Sequence, residues 1–94
     1  MTTEKQESGF WQPGKHYLVR TVTMIDIGTL VSIDDHEVVL KNVAWVADTK
    51  RWMESVRESD FNEVEPFPTG ALVAIGRGAI VDAVQVSKLA LEQR

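Results

Sequence analysis

A long run of residues that favour β-strands, interrupted by one glycine, is the feature that most constrains the fold of this chain. The run is rich in Val, Ile, Thr and Tyr, which suit a pleated and partly buried surface. We predict strands over 16–27, 29–33 and 37–43, with a sharp bend or a close backbone approach at Gly28. The polar segment 34–36 between the last two strands is short enough to be a hairpin turn.

The pattern changes at Trp45. The stretch 49–60 has few β-branched residues and many helix formers, and its apolar side chains recur at helical spacing. We predict a short helix there, with Asp48 as its N-cap because a carboxylate can accept a free backbone N–H. Trp45 and Trp52 are expected to form the core of this insert, and a base-stacking platform is the alternative.

Strand patterns return near the C-terminus. We predict strands over 71–75 and 79–84, joined by a tight turn at 76–78, and a short helix or tail over 86–94. Five short strands with a bending glycine predict a mainly β fold, a small and strongly bent barrel.

The domain organisation follows from these elements. We expect a flexible N-terminal segment over 1–15, a β-barrel over 16–85 that includes a helical insert over 45–68, and the C-terminal segment 86–94. Trp11, in the first of these segments, is expected to pack on the domain, or alternatively on a neighbouring subunit.

Composition excludes several classes of site. The chain has 94 residues and no cysteine, so neither a disulfide nor a thiolate metal site can form. The two histidines, His16 and His36, lack the spacing of a zinc site. No G-x-S-x-G elbow and no nucleophile, base and orienting residue stand out, so we predict that the protein is not an enzyme and needs no cofactor or metal.

Charge and hydropathy limit the partners. Ten basic residues against fourteen acidic ones give a net charge of −4, which disfavours binding to long nucleic acids, since that depends on many Lys and Arg contacts to phosphates. No apolar run approaches the ~20 residues that a membrane helix needs, and the N-terminus is polar, so we predict a cytoplasmic protein with no membrane partner.

Two motifs carry a resemblance to a known family. The sequence GTLVSIDDH over 28–36 resembles the first signature of Sm-like proteins, a G-x-L followed after three residues by an Asp at a turn. The sequence IGRGAIV over 75–81 resembles the second signature, in which an apolar residue lies near an Arg-Gly turn that precedes the closing strand. The resemblance covers 17–84 and implies a five-stranded Sm-like (SH3-type) barrel.

The resemblance also implies an assembly. Sm-like subunits pair the fourth strand of one barrel with the fifth strand of the next, which predicts a homo-oligomeric ring for this chain. Physical chemistry points the same way, because a small barrel leaves unpaired strand edges and a limited core. A head-to-tail contact between such edges closes into a ring when the rotation permits it.

A ligand site is implied as well. Sm-like rings bind nucleotides around the pore through the turn after the second strand and the turn between the last two, which correspond here to Asp34, His36, Arg77 and Gly78. Arg77, together with Arg20, would meet the phosphate of a small nucleotide. The Met-Asn that usually follows the first turn in RNA-binding members is replaced by the single residue Glu37. Because long RNA requires several phosphate contacts and this chain is acidic, small nucleotides or short RNA rank above long RNA.

The chain is also similar to short Sm-like proteins of bacteriophages, through VRT at 19–21, EVVLKN at 37–42 and the long insert. That similarity implies a phage counter-defence protein that sequesters a nucleotide signal, acting in the cytoplasm of the host cell. The alternative, supported by the acidic net charge, is a structural or protein–protein adaptor ring with no nucleotide ligand. In either case the paired acidic residues at 34 and 35 are expected to satisfy backbone N–H groups of their turn.

Overall fold

The computed structural model describes residues 9–94 and contains six strands and one α-helix. The strands are β1 (His16–Thr21), β2 (Ile25–Ile33), β3 (Glu37–Thr49), β4 (Phe61–Pro66), β5 (Leu72–Gly76) and β6 (Ile80–Val86). The helix α1 (Trp52–Glu58) precedes β4, and a 3₁₀ turn (Arg77–Ala79) joins β5 to β6. Within 9–94 no helix is long and apolar enough to cross a membrane.

The thirteen-residue strand β3 organises a single antiparallel sheet. One edge of β3 pairs with β2, while its other edge pairs with β5 along its first part and with β4 along its second. β1 lies beside β2, and β6 lies beside β1. In the described part of the chain no pairing joins β6 to β4 or β5, so the sheet is open rather than closed into a barrel. The mainly β class is confirmed; the strand number is six, not five.

The additional strand comes from the segment predicted as a helical insert. Only Trp52–Glu58 is helical, because β3 continues through Trp45 and Phe61–Pro66 returns beside it as β4. Asp48 lies in β3 opposite Glu63, and α1 begins after Arg51 without a side-chain cap. Pairing with β4 thus overrides the weak local preference for helix, as tertiary context commonly does.

The break between the first two strands lies at Val22–Met24 and not near Gly28. The Thr21 backbone N–H donates to the Met24 carbonyl (2.7 Å), and the Met24 N–H donates to the Thr21 hydroxyl (2.9 Å). A threonine side chain therefore closes this turn, without the glycine, proline or asparagine that would mark it in the sequence.

Gly28 lies inside β2, where the backbone of β3 approaches closely. A Cβ atom at this position would lie 3.0 Å from Val43 Cγ2 and 3.1 Å from both Leu40 Cβ and the Lys41 carbonyl oxygen. The pairing of β2 with β3 shifts register at this contact, between Ile27 and Thr29, and again between Leu30 and Ser32. The close approach predicted from the sequence is therefore present.

Apolar side chains are buried on both faces of the sheet. Leu18 of β1 belongs to one cluster, and its neighbours Tyr17 and Val19 belong to the other. The first cluster comprises Leu18, Ile27, Ala44, Val46, Phe61, Val64, Val86 and Ala90. The second comprises Tyr17, Val19, Leu30, Val38, Leu40, Val43 and Ile75. The central strands are covered on both sides, which explains why their sequences lack a strict alternation of apolar and polar residues.

Both ends of the described chain pack against the sheet. Tyr17 donates its hydroxyl hydrogen to the Phe10 carbonyl (2.6 Å), and its ring lies 5.0 Å from that of Trp11. Residues 1–8 of the segment predicted to be flexible lie outside the described residues. At the other end, 87–94 forms no helix, and Arg94 exchanges backbone hydrogen bonds with Val64 in β4.

The approach at Gly28 leads to a stability prediction. We expect Gly28→Ala to lower the free energy of unfolding by about 1–3 kcal/mol, because the added methyl group meets backbone and branched side-chain atoms that cannot easily move. Gly76→Ala is the matched control, since its Cβ would point into open space. Urea denaturation of both variants provides the measurement, and equal midpoints would contradict the prediction.

Candidate functional site

The β2–β3 turn is built around the carboxylate of Asp34. Its Oδ1 accepts hydrogen bonds from the backbone N–H groups of His36 (2.7 Å) and Glu37 (2.9 Å). These two bonds lower the pKa of Asp34, since they stabilise the ionised form. Asp34 therefore satisfies backbone groups of its own turn, as expected from the sequence, and is not arranged for acid–base chemistry.

Arg77 connects this turn to the 3₁₀ turn between β5 and β6. Its backbone N–H donates to the His36 carbonyl (2.9 Å), and its guanidinium Nη1 donates to the Asp34 carbonyl (2.8 Å). No carboxylate of residues 9–94 forms an ion pair with Arg77. The half-buried guanidinium is thus held at one nitrogen, while other N–H groups can meet a further acceptor.

The structure brings four of the predicted residues together at this place. Asp34, His36 and Arg77 are joined by hydrogen bonds, and Gly78 follows Arg77 in the 3₁₀ turn. Gly78 is exposed and nothing lies within 4 Å of where its Cβ would be. We call these residues the turn junction. Within it, the backbone N–H groups of Asp34, His36 and Arg77 are already hydrogen-bonded, so the remaining N–H groups of the Arg77 guanidinium are the side-chain donors left for a ligand.

Arg20, the fifth predicted residue, has other partners. Its Nε donates to Asp82 Oδ1 (2.8 Å), its Nη2 pairs with the second carboxylate oxygen, and its guanidinium carbon lies 4.7 Å from the ring centre of Trp52. The hydrogen bond from Arg20 lowers the pKa of Asp82. Arg20 therefore forms a cluster with Trp52 and Asp82 that is built from β1, β6 and α1, and it makes no hydrogen bond to the turn junction.

Sequence reasoning did not find an apolar cleft of about 360 Å³ at the second half of β3. We call it the Trp45 cleft; its lining residues are Met24, Trp45, Glu65, Pro66, Phe67 and Pro68. Trp45 is 38% exposed and Phe67 40% exposed, so two large rings are only partly covered. Trp45 was expected to lie in the core of the insert, but β3 places it on the surface because β4 replaces the expected helix.

Asp26 is the second feature that sequence reasoning missed. Its side chain is only 5% exposed, and its Oδ1 has no hydrogen-bond partner within residues 9–94. Burial raises the pKa of this carboxyl group to about 6, because the charged form loses its water. A signal was present in the sequence, where an acidic residue stands between Ile25 and Ile27 inside a strand.

The remaining polar side chains show no metal centre. In the part of the chain that the structure describes, no group of three His, Asp or Glu residues is arranged to hold a metal ion.

Comparisons with protein-family models, with curated proteins and with solved structures found no match to this chain. The resemblance to Sm-like proteins therefore rests on the two sequence motifs alone.

The raised pKa of Asp26 predicts how stability depends on pH. The folded state binds the proton more tightly than the unfolded chain does, so the free energy of unfolding falls as pH rises from about 4 to about 6. A shift of roughly two units corresponds to ~3 kcal/mol. We expect Asp26→Asn, which cannot ionise, to be more stable than wild type by roughly 1–3 kcal/mol above pH 7, with a smaller difference near pH 4.

Urea denaturation at a series of pH values measures this difference. Asp48→Asn, at an exposed position of β3, controls for the loss of one acidic side chain. A gain for Asp26→Asn that is the same at every pH, or a loss above pH 7, would contradict the prediction.

Proposed function

We propose that this protein is a non-catalytic homo-oligomer that binds a small nucleotide at the turn junction. The observation that carries the proposal is the position of Arg77, whose guanidinium is fixed by the Asp34 carbonyl while part of its donor set stays free. A guanidinium that is oriented before binding loses little conformational entropy when it meets a phosphate. His36, exposed beside it, would stack on a base or hydrogen-bond to it.

The charge around Arg77 favours a small ligand over a long one. Asp35 and Glu37 are exposed near the same turn, and the whole chain carries a net charge of −4. A polynucleotide would bring many phosphates toward this negative surface. A mononucleotide, dinucleotide or cyclic nucleotide needs only one or two charge-assisted contacts in each site. Sequestration of such a molecule as a signal, in a phage-infected host, is the biological role that we propose.

Oligomerisation is part of the proposal. The outer edges of β5 and β6 have no strand partner among residues 9–94. β5 ends just before Arg77, and β6 begins two residues after Gly78. Leu72 on β5 is 64% exposed and Val81 on β6 is 63% exposed. Pairing β5 of one subunit with β6 of the next would cover these edges and bring the junctions of neighbouring subunits closer together.

A second candidate function is a protein–protein adaptor without a nucleotide ligand. It is favoured by the Trp45 cleft, because partly exposed aromatic side chains are enriched at protein interfaces. The two candidates differ in what Arg77 does: it contacts a ligand in the first, and only stabilises its own turn in the second.

Nucleotide binding is tested by mass spectrometry of small molecules released from the denatured protein, followed by calorimetry with mono-, di- and cyclic nucleotides. We expect Arg77→Ala to weaken binding by ~1.5–3 kcal/mol, roughly 10- to 150-fold, without changing the molecular mass of the assembly. Arg57→Ala, which removes an exposed arginine from α1, is the control and should bind normally. If no nucleotide co-purifies and none produces heat, the adaptor function is favoured.

The assembly is tested by light scattering at micromolar concentration. We expect a mass several times that of the 10.5 kDa chain. Val81→Lys and Leu72→Lys should each lower it, because a charge at the subunit contact must lose water. Met53→Lys is the matched control, since Met53 is 65% exposed but lies on α1. A wild-type mass of one chain would rule out the ring.

A further inference from the structure

One arginine of this chain, Arg20, lies between an aromatic ring and a carboxylate. The guanidinium of Arg20 lies over the ring of Trp52 and is held by both carboxylate oxygens of Asp82. The ring face attracts the cation, and the carboxylate accepts the paired N–H groups of the guanidinium. Within this chain an arginine side chain thus lies between a tryptophan ring and a carboxylate at the protein surface.

The Trp45 cleft has the same two components without the cation. Trp45 and Phe67 supply aromatic surface, and Met24 adds a thioether side chain. Glu65 is the charged residue of its lining, and it forms no ion pair with any residue of 9–94. No lysine or arginine contributes to the lining. The charge of Glu65 is thus left without an internal partner beside two partly exposed rings.

Strand register adds a second carboxylate on the same side of the sheet. Asp26 is the Cα partner of Trp45, and Trp45 is the Cα partner of Glu65. Directly opposed residues of antiparallel strands project from the same face, so the three side chains form one row across β2, β3 and β4. Asp26 is buried with an unpartnered oxygen, which is a costly arrangement for a carboxylate. Asp26 does not itself line the cleft, so its contribution is the negative charge that it adds to this face of the sheet when it is ionised.

We propose that the Trp45 cleft binds an arginine side chain of a partner polypeptide. Charge complementarity favours a cation here, because Glu65 lines the cleft with no lysine or arginine beside it and would repel a phosphate or a carboxylate. Arginine suits the site better than lysine does, since its planar and weakly hydrated guanidinium stacks on indole and meets a carboxylate through paired N–H groups. The cleft opens to solvent, and its volume of about 360 Å³ is large enough for a side chain. This surface is separate from the turn junction, and the inference does not depend on nucleotide binding.

The test uses the blocked peptide acetyl-Gly-Arg-Gly-amide as the probe. We expect it to shift the Trp45 indole N–H and the Met24 methyl resonances saturably in the millimolar range. The citrulline peptide, which has the same shape without the charge, should produce no such shift, and the lysine peptide should bind more weakly. Glu65→Gln should weaken the binding of the arginine peptide by about tenfold, which is the effect expected for the loss of one charge-assisted contact.

Glu63→Gln is the matched control, because it removes an equal charge from the same strand at a residue that does not line the cleft. It should leave the affinity unchanged. Three results would overturn the proposal: equal shifts with the citrulline peptide, equal weakening by both glutamine variants, or saturation of the cleft by adenosine with no response to arginine. Arg77→Ala should bind the peptide normally, which separates this result from that of the nucleotide experiment.

Discussion

The pairing of β3 on both of its edges is the interaction on which the rest of the structure depends. β2 lies along one edge, and β5 and β4 share the other, so one long strand satisfies the backbone groups of three neighbours. This is possible only because the backbones approach closely at Gly28, where β2 has no side chain between itself and Val43. A larger residue there would separate the central strands, and each remaining element is attached to the sheet through them.

The same pairing decides where the polar groups of the molecule lie. At one end of β3 the hairpin turn places Asp34 and His36 against Arg77, and two hydrogen bonds donated by Arg77 join two turns that are distant in sequence. Farther along, the pairing with β4 lines up Asp26, Trp45 and Glu65 across three strands. Two chemically different surfaces therefore lie along the course of a single strand: one has a guanidinium and the other has carboxylates, and none of these groups forms an ion pair within residues 9–94.

The acidic residues at these two surfaces differ in their effect on the stability of the folded state. Asp34 is ionised and well bonded, so its turn stabilises the structure. Asp26 is buried with an orphan oxygen and a pKa raised to about 6, so its charge opposes folding at neutral pH. A replacement by an uncharged residue would relieve that cost. The strand register places this destabilising carboxylate opposite Trp45, on the face of the sheet where the Trp45 cleft lies.

The sequence by itself determined the β class, the hairpin turn at Asp34, the close approach at Gly28 and the turn containing Arg77, because each depends on residue types within a few positions of one another. It did not determine β4, the surface position of Trp45 or the pairing of Arg20 with Asp82, since these result from contacts between residues far apart in the chain. The insert has a local preference for helix, but backbone pairing along β3 overrides that preference. This pairing leaves no local pattern in the sequence. The burial of Asp26 was likewise decided only when β1 and β3 closed around it.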